Sequence, residues 1–149
     1  MARTAIAAKE LVAQGVISSA NIVGTAAGQL GHANGFPMVP AYGADQVAQL
    51  VSAMLAMDFS VAAYTGGGNV TVNIGSGGAA LTGLVANTNF IQVAADKVIF
   101  FVPLAATFLT LVANKSINLV DTSAPTQPGT AAGVIRYRVV YRVFDAGLA

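Results

Sequence analysis

The run Val134-Ile135-Arg136-Tyr137-Arg138-Val139-Val140-Tyr141-Arg142-Val143-Phe144 constrains this chain more than any other stretch. Ile135, Tyr137, Val139, Tyr141 and Val143 fall on one parity. Arg136, Arg138 and Arg142 fall on the other, with Val140 between them. Successive side chains of a strand point to opposite faces, so this alternation is that of a strand with one face in a core. On a helix the three arginines would scatter around the cylinder. The reading is a strand whose five apolar and tyrosine side chains are buried opposite the arginines.

Shorter runs repeat the signal upstream. Asn69-Val70-Thr71-Val72-Asn73-Ile74 alternates between Gly66-Gly67-Gly68 and Gly75-Ser76-Gly77-Gly78, which is a strand between two glycine turns. Lys97 to Val102 and Ser116 to Val120 are β-branched and aromatic runs bounded by polar or proline punctuation. Phe36-Pro37-Met38-Val39-Pro40 reads as an extended edge segment, because its prolines cannot donate ladder hydrogen bonds. DTSAPTQPGTAAG, from Asp121 to Gly133, reads as a loop. Asp45 to Met57 fits two patterns: Val47, Leu50, Val51, Met54 and Leu55 have helical spacing, while Val47, Val51, Leu55 and Met57 share a strand face. Ala80 to Ala94 could hold a short helix, though its Thr, Asn and Gly suit loop and strand better. Many short strands with glycine turns and no dividing linker predict one all-β domain, a sandwich or barrel.

Charge is scarce. Only 9% of the 149 residues are charged, against about 25% in an ordinary domain, and 55% are hydrophobic. No charged side chain occurs from Phe59 to Ala95, and from Leu11 to Ala44 only His32 could acquire charge. A monomer normally covers itself with Lys and Glu, so a poorly charged surface with net charge +1 points to burial against other chains. The most apolar run, Val98 to Ala113, contains Pro103 and is shorter than the roughly 20 residues a spanning helix needs. A transmembrane β-barrel stays formally open, but so short a chain without tryptophan for an aromatic girdle argues against it, and no membrane partner is expected. Lys9 and Glu10 interrupt the region where a signal peptide would be apolar.

No constellation carries chemistry. His32 is the only histidine, there is no G-x-S-x-G elbow, and there are no cysteines. Gly66-Gly67-Gly68 lacks the Gly-Lys-Ser/Thr ending of a phosphate loop, so turn glycine is the better account. The six acids, Glu10, Asp45, Asp58, Asp96, Asp121 and Asp145, are scattered. The chain is read as non-enzymatic, without cofactor, metal or catalytic residue. The arginine face could meet phosphates, solvent, or carboxylates on a neighbouring strand or subunit. Net charge +1 is low for a nucleic-acid footprint, so a subunit contact is preferred. The candidate contact residues are Arg3, Lys9, Arg136, Arg138 and Arg142.

From Tyr64 onward the order of elements forms a pattern. Tyr64-Thr65-Gly66-Gly67-Gly68-Asn69 and an alternating strand precede Pro103-Leu104, then Asn114-Lys115-Ser116-Ile117-Asn118-Leu119, then Arg136-Tyr137-Arg138-Val139-Val140-Tyr141-Arg142-Val143. This order, with the turn Pro40-Ala41-Tyr42-Gly43, resembles small tailed-bacteriophage proteins encoded among head genes, some of them capsid decoration (cement) proteins. It spans most of residues 35 to 144 and tips Asp45–Met57 toward strand. The resemblance implies a β-sandwich or jelly-roll-like body, often a homotrimer, seated where capsid subunits meet. The expected role is then a virion structural protein on the capsid surface, assembled in the host cytoplasm, with the major capsid protein as partner. The alternative is a tail or baseplate module that binds a host surface. Residues 1–31 have no counterpart in the pattern and few large apolar side chains. They are expected to form an extended N-terminal arm on a neighbour, with residues 32–149 as the β-sandwich domain.

Overall fold

The computed structural model describes residues 9–75, 78–104, 112–127 and 133–145. Ten strands are described, in chain order: β1 (Glu10–Ile17), β2 (Phe36–Val39), β3 (Gln46–Asp58), β4 (Thr65–Gly66), β5 (Asn69–Ile74), β6 (Val85–Ala86), β7 (Lys97–Phe101), β8 (Ile117–Asp121), β9 (Pro125–Thr126) and β10 (Val134–Asp145). One short helix, α1 (Ser19–Val23), follows β1, and the Ser18 hydroxyl caps it by accepting from the Asn21 N–H at 3.3 Å.

Two four-stranded sheets, β1-β10-β3-β7 and β2-β8-β5-β6, face each other, and β4 pairs with β9 beside them. Every pairing is antiparallel. With β4 and β9 set aside and the rest numbered one to eight in chain order, the sheets read 1-8-3-6 and 2-7-4-5. First pairs with last, second with seventh, third with sixth and fourth with fifth. That is a hairpin rolled across two sheets, the jelly-roll topology. The chain is an all-β single domain.

The core lies between the sheets. Leu55, Met57, Ile135, Val139 and Phe101 from the first sheet pack with Val70, Val72, Ile117 and Leu119 from the second. Ile135, Val139 and Tyr141 are buried as their alternation predicts, and the half-buried Tyr137 and Val143 pack against the same cluster. β3 resolves the ambiguous segment as a strand. Its register against β10 shifts between Val140 and Tyr141, where Ser52 opposes Val140 and Leu50 opposes Tyr141. Val51 is the extra residue of that bulge, so Leu50 is buried before it and Ala53, Leu55 and Met57 after it, and Val51 leaves the face it was assigned.

The arm expected over residues 1–31 is corrected for its described part. β1 pairs along its whole length with β10, from Glu10 opposite Arg142 to Ile17 opposite Ile135. Ile17, Ile22 and Leu30 are fully buried in the common core. The segment has few large apolar residues, but those few are spaced to reach the core, and strand pairing with β10 satisfies its backbone. The domain therefore includes residues before 32, while residues 1–8 lie outside the described part.

Candidate functional site

Jelly-roll connections alternate between the two ends of the sandwich, and two places on the molecule concentrate polar or exposed groups. The first is the outer face of sheet β1-β10-β3-β7. Residues opposite each other in a ladder share a face, so the registers define rows across it. One row reads Val16, Arg136, Ala56, Val98, and the next reads Gln14, Arg138, Met54, Phe100. Val12, Val140 and Ser52 form a third, with Val102 just beyond the last β7 pair. Phe100 is 72% exposed, Val102 is nearly as open, and Val12, Val16 and Val98 are half-exposed. Large apolar side chains thus flank the arginines on both outer strands.

The three arginines differ in their surroundings. Arg136 donates from Nε and Nη2 to one Asp58 oxygen, at 3.1 and 2.8 Å. Arg142 donates from Nη2 to Glu10 at 2.6 Å, directly across the β1–β10 ladder. Both are surface pairs worth about 0–1 kcal/mol. Asp58 and Glu10 are therefore used within the chain, as pairing on neighbouring strands, and Asp96, just before β7, accepts from the Phe59 N–H at 2.9 Å. Arg138 lies on a central strand between Gln14 and Met54 and makes no ion pair among the described residues. Lys9 is exposed at the start of β1, and Arg3 lies outside the described residues. The structure therefore brings Arg136, Arg138 and Arg142 together on one face.

The apolar members of that face, Val12, Val16, Met54, Val98, Phe100 and Val102, escaped the sequence reading. A signal existed in β1, whose sequence Glu10-Leu11-Val12-Ala13-Gln14-Gly15-Val16-Ile17 puts Val12 and Val16 on the parity of Glu10 and Gln14. Phe100 carried none, because Phe100 and Phe101 are identical in type and only the register separates the exposed ring from the buried one.

The second place is one end of the sandwich, where the loops after β4, β6 and β8 meet. Buried Asp121 accepts from the Gly68 and Ser123 N–H groups at 3.0 and 3.2 Å and from the Asn87 side-chain amide at 2.5 Å. Burial raises its carboxyl above the ordinary value, and the bonds from Asn87, Gly68 and Ser123 oppose that shift. Gly67 adopts φ 78°, and a side chain there would strike the Asn87 amide. The glycine run is thus a turn that lets the chain close over Asp121. Each Asp121 oxygen is engaged, so the arrangement holds the loops together. His32 lies in a loop, its Nδ1 accepting from the Asn34 N–H at 3.1 Å. Among the described residues no group of three or more His, Asp or Glu could hold a metal ion.

Comparison of the chain with protein-family models, curated proteins and solved structures gives no match. The outer sheet face is therefore the feature on which a functional reading rests.

Proposed function

We propose that this chain is a non-enzymatic structural protein of a tailed-phage virion, which binds the outside of the capsid and stabilises contacts between capsomers. One observation carries the reading: of the nine exposed large apolar side chains among the described residues, five (Val12, Val16, Val98, Phe100 and Val102) gather on the outer face of β1-β10-β3-β7, while Val61, Leu84, Leu104 and Val112 lie outside the strands. Exposed apolar side chains gathered on one sheet face mark protein contact sites. The capsid setting comes from the sequence resemblance, and the jelly-roll topology is compatible with it, although that fold serves many functions. Apolar burial contributes about 25 cal/mol per Å², and modest contacts repeated on every capsomer would add to a large stabilisation.

The test is a count. Quantitative mass spectrometry of purified virions should find this chain in proportion to the capsid subunits, and virions lacking it should rupture at lower temperature. A few copies per particle would favour the tail or baseplate reading instead, and none would end both. A trimer is the expected assembly, and sedimentation at micromolar concentration should show one; a stable monomer would remove that part.

A further inference from the structure

The acids of the outer sheet face lie at its margins, and one arginine has none beside it. Three arginines project from β10, and the two carboxylates beside them, Asp58 and Glu10, are bonded to Arg136 and Arg142. Arg138 has Gln14 opposite it on β1 and Met54 opposite it on β3. Its diagonal neighbours are Val12 and Val16 on one side and Ser52 and Ala56 on the other, so no acid stands within ladder reach. Among the described residues one unmatched cation therefore lies near the middle of the sheet, with Val12 and Val16 on one flank and Val98 and Phe100 on the other.

We propose that this face docks a different protein, one that presents a carboxylate side chain ringed by large apolar residues, with the carboxylate meeting Arg138. The inference rests on reading the face as an interaction surface, but not on the partner being a capsid. Covering the exposed valines and Phe100 necessarily removes Arg138 from water. A guanidinium buried without a counter-charge costs several kcal/mol, so only a partner that brings the acid can gain from the apolar contact. Arginine suits the position because its planar fork binds a carboxylate through two parallel bonds. A second copy of this chain is the poorer occupant. A two-fold contact centred on Arg138 would bring it against its own symmetry mate, and the acids beside the arginines, Asp58 and Glu10, are bonded to Arg136 and Arg142.

The experiment pans a displayed library of random dodecapeptides against the immobilised full-length protein. Enriched peptides should carry one Asp or Glu flanked by large apolar residues. A synthetic peptide of the enriched sequence should bind R138Q and F100S each roughly tenfold or more weakly than the parent. Replacing the peptide's acid by its amide should weaken binding to the parent while adding little to the loss in R138Q. Both variants change exposed side chains, so their melting should match the parent, which separates lost binding from lost folding. Enriched peptides without an acid, equal binding to both variants, or no enrichment at all would overturn the proposal. So would an oligomer that R138Q or F100S breaks into monomers, since a second copy would then occupy the face. Failure of the virion count leaves these outcomes unaffected, so the two readings fail separately.

Discussion

Gly15 stands directly opposite Tyr137 in the β1–β10 ladder, and the Tyr137 ring occupies the space that a side chain at position 15 would need. The ring packs edge-on against Phe36 of the other sheet, with centroids 6.1 Å apart. β1 thus closes its side of the sandwich by leaving a gap that a tyrosine fills. Gly15→Val should destabilise the domain by about 1–3 kcal/mol, the usual cost of overpacking, read as a lower denaturant midpoint at unchanged slope. An unchanged midpoint would mean that the ring moves aside freely.

Removing residues 1–30 should prevent cooperative folding. The deletion takes away the full β1 ladder on β10 and the fully buried side chains of Ile17, Ile22 and Leu30. It also exposes a long edge of β10, which is a template for aggregation. A soluble truncated chain with a sharp thermal transition would show that β1 is an accessory to the body.

Burial raises the tyrosine hydroxyls at positions 64, 137 and 141, with Tyr64 and Tyr141 reaching about 12; at Tyr141 the bond and charge of Tyr42 add to burial. Tyr64 donates to the Gly133 carbonyl at 2.6 Å. A tyrosine in the unfolded chain ionises near pH 10, so the folded form holds these protons longer. For Tyr64 and Tyr141 that contribution is complete below about pH 10 and is lost as pH rises through about 12. Ultraviolet titration should show tyrosinate appearing late and together with unfolding. Tyr64→Phe should cost about 1 kcal/mol at neutral pH and flatten the alkaline loss. A Phe variant with the same alkaline slope would place the ionisation elsewhere.

How much was legible in the sequence follows from where period two was left intact. β10 keeps it along most of its length, and the burial of Ile135, Val139 and Tyr141 was readable from spacing alone, while β5 alternates in sequence yet buries Thr71 as well as Val70 and Val72. β3 does not keep it: the extra residue at Val51 changes the parity of its buried positions, and a two-phase strand imitates helical spacing. β1 was obscured differently. Ala13 and Gly15 are small because Val139 and Tyr137 stand opposite them, so a strand fitted to its neighbour looked like a segment poor in core residues. The arginines of the candidate face were visible, but their separate fates were not. Which one keeps a free guanidinium depends on Glu10 and Asp58, which are remote in sequence and adjacent only after folding.

Asp121 offers the sharpest test of what holds the loop end together. Its two oxygens accept three bonds, and its own N–H donates to the Leu30 carbonyl at 3.2 Å, so it ties its own segment to three others, at Gly68, Asn87 and Leu30. Asp121→Ala would leave the Gly68 and Ser123 N–H groups and the Asn87 amide without their acceptor, and should cost about 3 kcal/mol. The pH dependence separates burial from bonding. Burial raises the folded carboxyl above its ordinary 3.8 more than the three bonds lower it. The folded state therefore binds the proton more readily than the unfolded one, and stability gains as pH falls from the raised value toward the ordinary one. Denaturant midpoints of the parent and Asp121→Asn, measured from neutral pH to about pH 3, isolate this group because the amide does not titrate in that range. The parent should gain on the variant as the pH falls. A parent that loses ground instead would mean that the bonds to the charged form outweigh its burial, and that Asp121 is a source of acid lability at this end of the sandwich.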